Sequence, residues 1–233
     1  MHLKLFRSVR YTLAFISALF LLANSAFAGP VLICHPFDIG NAKSLPRISH
    51  DWNLSGSENY DTRNLSSDSL AILDASQSPL VHMETLRRAT IYARKDPLAG
   101  KQLLVKIVAR VQNNEASAKP NPFAFFDAAY LAEAYKQWLG EKGDNPAGKL
   151  NGVAWIEKAI QLRGDDPQME FAAALITLRE PESVRAPHAQ KAIQGAQTDA
   201  LLASNLKSHF LGAQSQTMAE IIRRSDPGKI ANN

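Results

Sequence analysis

Five residues near the amino terminus carry the side chains best suited to chemistry: Cys34, His35, Asp38, His50 and Asp51. Thiolate, imidazole and carboxylate are the ligand types that bind zinc and copper. The same types build nucleophilic sites, in which a histidine oriented by a carboxylate activates a cysteine. The cluster therefore raises two hypotheses: a metal site, and a thiol site with Cys34 as nucleophile, His50 as base and Asp51 as its orienting group.

The spacing of these residues matches no established ligand or catalytic pattern. Cys34 and His35 are adjacent, which makes joint ligation of one ion awkward, and the adjacent His50 and Asp51 point in different directions. The competing interpretation is that Cys34 is a small apolar packing residue. The chain also lacks a glycine-rich phosphate loop, a dinucleotide fingerprint and a Gly-x-Ser-x-Gly motif. We assign no cofactor and favour a non-enzymatic protein.

A second candidate group is basic and lies on one predicted helix: Arg87, Arg88, Arg94 and Lys95. One interpretation is a solvated face, in which the last two residues complement the negative end of the helix dipole. The other is a binding surface for an anion or an acidic peptide.

Residues 1–28 have the pattern of a secretory signal peptide. Lys4, Arg7 and Arg10 precede a short apolar run and a small-x-small cleavage site that ends at Ala28. The apolar run is shorter than the roughly 20 residues of a membrane span. We expect cleavage after Ala28, export to the periplasm or beyond, and no stable membrane span in the mature chain.

Removal of the leader changes the charge of the chain. The leader holds three of the 26 Lys and Arg residues and none of the 22 Asp and Glu residues, so the mature net charge is +1 rather than +4. The basic precursor is therefore no evidence for nucleic-acid binding, and no nucleic-acid motif is present. With a single cysteine, the exported chain has no internal disulfide. Its 205 residues are enough to bury one sizeable core.

Pairs of Ser, Asp or Asn followed by Pro recur along the chain. They stand at residues 78, 96, 121, 145 and 166. Such a pair supplies a capping side chain and a proline tolerated in the first helical turn, so each predicts a helix start. Alternate pairs, at 78, 121 and 166, are 43 and 45 residues apart, a period typical of a two-helix repeat. Further helices are predicted at 66–76, 184–195, 199–211 and 214–224.

Apolar residues after Pro122 recur at steps of three and four, which places them on one helical face. They are Phe123, Phe126, Tyr130, Leu131, Ala134, Tyr135 and Trp138. Aromatic side chains in this pattern indicate a buried core rather than a binding site. In the following helix, two interpretations of Gly148 and Gly152 are open: they weaken the helix, or as small residues they let the first helix approach closely. Gly164 ends the segment.

Residues 121–178 resemble a tetratricopeptide repeat, a helix–turn–helix unit. The matching positions are Leu131, Ala132 and Tyr135 in the first helix, and Ala159, Ile160 and Leu162 at the end of the second. Gly152 stands where the family has alanine. The resemblance implies a helical-repeat architecture and binding of a protein or peptide, and it implies no catalytic residue.

Together these patterns predict an all-α protein of antiparallel helical hairpins, stacked as a short array similar to tetratricopeptide repeats, with an extended N-terminal arm. The predicted parts are the signal peptide (1–28), the arm (29–64), the helical domain (65–224) and a disordered tail (225–233). We expect an exported, non-enzymatic binding or scaffold protein of the bacterial envelope that presents a helical surface to a protein or peptide. The alternative is a metal-binding or thiol-dependent protein that uses Cys34, His35 and His50. The sequence does not determine the oligomeric state.

Overall fold

The computed structural model of the chain describes residues 30–46, 59–139 and 145–210, with Phe210 described by its backbone alone. Nine α-helices and two 3₁₀ turns (Thr62–Asn64 and Thr177–Arg179) make up the regular structure of these ranges. The α-helices are α1 (Val31–Cys34), α2 (Leu65–Ala75), α3 (Pro79–Lys95), α4 (Pro97–Glu115), α5 (Pro122–Leu139), α6 (Gly152–Arg163), α7 (Pro167–Ile176), α8 (Glu182–Gly195) and α9 (Ala200–Phe210). The predicted signal peptide, the helix at 214–224 and the tail lie outside the described residues.

Four of the five predicted helix starts are confirmed, because α3, α4, α5 and α7 each begin at the proline of a capping pair. The capping carboxylates accept bonds from backbone N–H groups that have no partner inside the helix. Asp96 accepts the N–H of Ala99 at 3.0 Å, and Asp166 accepts the N–H of Gln168 at 3.0 Å.

The fifth predicted start, at Asn145-Pro146, is wrong. Residues 146–149 form a turn, and α6 begins at Gly152 with Asn151 as its cap. The Asn145 side chain accepts the N–H of Ala147 at 2.9 Å and donates to the carbonyl of Tyr135 at 3.1 Å, so it stabilises a turn against the end of α5. An Asx-Pro pair favours turns as well as helix starts, and here the turn prevails.

The helices pack as an array of hairpins, which confirms the predicted all-α class. Each of the pairs α3–α4, α5–α6 and α7–α8 is in contact, and α3, α5 and α7 also contact one another to form an inner layer. The short helix α1 lies against all three inner helices. Among the described residues, no helix combines the length and the apolar character needed to cross a membrane.

The predicted apolar face of α5 is buried in the core, except for Trp138, which is partly buried. Along α5, Phe123, Phe126, Tyr130 and Tyr135 are buried, as their spacing predicts. The expected close approach at Gly152 is also confirmed: its N–H donates to the Glu133 carboxylate at 3.1 Å, and an added Cβ atom would lie 2.4 Å from that oxygen.

Two histidines form ion pairs between the helices. His82 of α3 meets Asp127 of α5 at 2.6 Å, and His188 of α8 meets Glu170 of α7 at 2.6 Å. Burial opposes a charge on His82, but the adjacent Asp127 carboxylate raises the His82 pKa overall. The His82–Asp127 pair is enclosed in the core, so it connects helices rather than facing a ligand.

Replacement of the observed cap should weaken the fold. The Asn151 side chain accepts the N–H of Ala154 at 3.0 Å. We expect Asn151→Ala to lower the free energy of unfolding by about 1 kcal/mol, measured by urea denaturation. Asn151→Asp keeps the acceptor and should stay close to the wild type. An unchanged urea midpoint for the alanine variant would contradict this assignment of the cap.

Candidate functional site

The inner layer forms a groove that holds the N-terminal segment, defined here as residues 30–46. The floor of this groove is built from α3, α5 and α7, which α1 contacts. Four apolar side chains of the segment are each at most 3% exposed: Leu32, Ile33, Phe37 and Leu45. Full burial of one such side chain stabilises a structure by about 1.5–3 kcal/mol, so burial of these four side chains holds the segment in the groove.

Side chains of the groove also bind the backbone of the segment around α1. The N–H of Leu32 donates to the side-chain oxygen of Gln137 at 3.0 Å, and the hydroxyl of Tyr130 donates to the carbonyl of Leu32 at 2.8 Å. Arg87 donates to the carbonyl of Ile33 at 2.9 Å. Burial raises the pKa of Tyr130 well above its ordinary value, which keeps its hydroxyl a proton donor.

The same kind of recognition continues along the segment. The N–H of Phe37 donates to the Glu84 carboxylate at 2.9 Å. Asn205 of α9 binds both backbone groups of Asp38, accepting its N–H at 2.9 Å and donating to its carbonyl at 2.8 Å. Because buried backbone groups need partners, these side chains take the role that a neighbouring strand has in a sheet.

The far end of the segment is held by three further contacts of α3. Arg88 donates to the carbonyl of Leu45, and the Tyr92 hydroxyl donates to the carbonyl of Pro46 at 3.3 Å. The hydroxyl groups of Ser44 and Thr85 lie 3.0 Å apart. The groove thus combines two kinds of contact. Hydrogen bonds to the backbone can form with any sequence, whereas the buried apolar sites select particular side chains, as in other modes of peptide recognition.

A buried ion-pair cluster organises the centre of the groove. The Glu84 side chain is fully buried, and Arg87 and Arg88 each approach it to 2.7 Å. Burial opposes ionisation of Glu84, but the hydrogen bonds and charges of the two arginines outweigh it and hold its pKa below the usual value. The ionised carboxylate can therefore accept the Phe37 N–H.

The predicted basic surface is divided between the interior and the exterior of the protein. Arg87 is only 7% exposed and, with the partly buried Arg88, points towards Glu84 and the N-terminal segment. Arg94 and Lys95 are exposed, and the Arg94 guanidinium lies 4.8 Å from the centre of the Trp138 ring. The four residues therefore do not share one solvent-facing surface.

Three of the five predicted metal and thiol residues, Cys34, His35 and Asp38, lie along the N-terminal segment. Cys34 is half-buried, and burial raises its pKa to about 11, so it is a protonated thiol at neutral pH. His35 and Asp38 are exposed. No group of three potential metal ligands occurs in the part of the chain that the structure describes, and His50 and Asp51 lie outside that part.

Sequence reasoning missed the residues that hold the segment, namely Glu84, Tyr130, Gln137 and Asn205. One local signal was available, because Glu84 precedes Arg87 and Arg88 by three and four positions, the spacing of ion pairs on a helix. The other residues carry no local signal of this role. Tyr130 and Gln137 share one face of α5 and Asn205 lies on α9, and only the packing of the helices brings them to the segment.

Comparison with known proteins adds no assignment: the chain matches no protein-family model, no curated protein and no solved structure.

The buried carboxylate should be essential for stability. Glu84→Gln leaves two buried or half-buried guanidinium groups without a counter-charge, and we expect it to lower the free energy of unfolding by about 3–5 kcal/mol. The matched control is Glu115→Gln at the exposed end of α4. This control should change stability by less than about 0.5 kcal/mol. Equal urea midpoints for the two variants would contradict the proposed role of Glu84.

The stability of the protein should depend on pH through His209. The His209 ring stacks on Phe37 with ring centres 4.3 Å apart, and burial lowers its pKa to about 4. The unfolded histidine titrates near 6.5, so folding loses stability as the pH falls from about 6.5 to about 4. Above the pKa of the unfolded histidine, His209 is neutral in both states, so the free energy of unfolding does not change with pH through this residue.

We expect the difference in unfolding free energy between the wild type and His209→Phe to be constant above pH 7. As the pH falls from about 6.5 to 4, the wild type should lose unfolding free energy relative to the variant. The comparison cancels the titration of Glu84 and of other groups common to both proteins. A difference that is constant across this range would show that His209 is not buried against Phe37.

Proposed function

We propose that this chain is an exported, non-enzymatic binding protein of the bacterial envelope, and that its inner groove binds an extended peptide segment of a partner. The observation that carries the proposal is the set of hydrogen bonds from groove side chains to the backbone of residues 30–46. Together with the resemblance of residues 121–178 to a tetratricopeptide repeat, it favours a peptide-binding helical array. The leader-like residues 1–28 support export.

The contacts define the class of peptide that the groove would accept. The seated residues form the pattern Leu32-Ile33-x-x-x-Phe37, in which all three named side chains are buried. The backbone bonds require an extended or singly turned chain with free N–H groups at the first and last of these positions. A partner segment would therefore carry two adjacent apolar residues and an aromatic residue four positions after the second.

In this function the N-terminal segment is an intramolecular competitor. It is joined to the helical domain through residues 47–58, and a short tether gives an effective concentration on the order of millimolar. A partner peptide must compete with that concentration, so the intact chain would bind it far more weakly than a groove whose tether has been cut.

A peptide-exchange experiment tests the groove. A site for a sequence-specific protease is placed between residues 47 and 58 of the mature chain, which is cut after folding. A fluorescent peptide of residues 30–46 is then added in excess. We expect saturable binding of one peptide per chain, with release of the cut segment, measured by fluorescence anisotropy and native mass spectrometry.

The matched control peptide carries Phe37→Ala. Loss of a buried phenylalanine costs about 3–5 kcal/mol, so this peptide should bind at least about 100-fold more weakly. A groove variant, Gln137→Ala, should weaken binding of the unmodified peptide, whereas Glu115→Gln should not. The function would be excluded by failure of the unmodified peptide to bind the cut chain, or by equal binding of both peptides.

A further inference from the structure

We propose that the groove also accepts the N-terminal segment of a second copy of this chain, so that two copies exchange their segments. The inference rests on the proposed function, because it assumes that the groove binds a segment that is not held in place by its own tether. The occupant is chosen because the groove already binds residues 30–46 in the structure.

The contacts of the segment do not depend on its covalent connection. The side chains that hydrogen-bond to it lie 41 to 174 positions further along the chain. A segment from a second copy would therefore make the same bonds to Glu84, Arg87, Tyr130 and Asn205. Reciprocal exchange buries the same side chains as the monomer does, and it closes a dimer with two-fold symmetry.

The described residues on either side of the tether, Pro46 and Tyr60, both contact Tyr92. Tyr92 donates to the carbonyl of Pro46, and its ring lies 4.5 Å from the ring of Tyr60, measured between centres. Twelve residues separate the described ranges at this point, and a fully extended tether of that length spans roughly 40 Å. Two packed layers of helices are roughly 20–24 Å thick, so the tether is long enough to reach the groove of an adjacent copy.

Concentration decides between the two arrangements. The exchanged dimer keeps every contact of the monomer. The equilibrium between the two is therefore set by the effective concentration of the tethered segment, which is on the order of millimolar. Monomers then dominate in dilute solution. Exchanged dimers increase as the local concentration of the chain approaches that value.

Single-cysteine copies can trap the exchanged state. Ser44 of the segment and Thr85 of α3 have hydroxyl oxygens 3.0 Å apart, close enough for the corresponding thiols to form a disulfide. One copy carries Ser44→Cys and a second carries Thr85→Cys, each with Cys34→Ser. Neither copy can bridge internally, so a covalent heterodimer reports the segment of one copy in the groove of the other. A chain with both cysteines is the positive control and should give an internally bridged monomer.

The two copies are mixed at about 0.5 mM, close to the tether's effective concentration, and exposed to a mild oxidant. We expect the heterodimer to accumulate at least tenfold above the homodimers of either copy alone, as seen on a non-reducing gel. As a control, a copy with Glu115→Cys, at an exposed position of α4, replaces the Thr85→Cys copy. It should give no more heterodimer than homodimer.

A third arm separates the inference from the function on which it rests. A synthetic peptide of residues 30–46 with Ser44→Cys and Cys34→Ser is added to the cut Thr85→Cys chain. Cross-linking of the peptide without a heterodimer of intact copies would overturn segment exchange and leave the peptide groove intact. Failure of both reactions would overturn the groove as a peptide site. A heterodimer that forms equally well with the Glu115→Cys copy would overturn the exchange geometry, because cross-linking would then not depend on the groove.

Discussion

The buried carboxylate of Glu84 is the interaction on which the inner face of this protein depends. A charge without access to water is tolerated only with close partners of opposite sign and hydrogen bonds to its remaining lone pairs. Arg87 and Arg88 supply the charges, and the N–H of Phe37 supplies a bond from the N-terminal segment. The two arginines in turn donate to the carbonyls of Ile33 and Leu45. One ionic cluster thus fixes the segment near both of its ends.

This arrangement explains why the inner layer is unusually polar for a core. Along α3 the buried residues include His82, Glu84, Thr85 and Arg87 as well as large apolar side chains. A helix buried on nearly all sides is expected to be apolar throughout. Glu84 and Arg87 bind backbone groups of a largely irregular segment, which would otherwise be buried without partners, whereas His82 pairs with Asp127 of α5. Part of this polarity therefore satisfies the main chain of the N-terminal segment.

The same geometry accounts for the chemical character of Cys34. It occupies the last position of α1, where the segment is pressed against the inner helices, and burial favours its protonated form. Catalytic thiols need surroundings that stabilise the thiolate. Arg87, which also binds Glu84 and a backbone carbonyl, lowers the pKa of this thiol, but the effect of burial is larger. Burial thus favours the thiol over the thiolate at this position.

The sequence by itself determined the helices and their apolar faces. Four capping pairs and the steps of three and four in α5 act within one or two turns, so they could be recognised without tertiary structure. The turn at Asn145-Pro146 was nevertheless missed. An Asx-Pro pair can begin a helix or form a turn, and contacts with α5 favour the turn. Only the tertiary structure decided the groove. Gln137, Tyr130, Glu84 and Asn205 lie on three helices and converge on residues 30–46 because the hairpins stack, and a hydrogen bond between residues more than 40 positions apart leaves no periodic trace in the sequence.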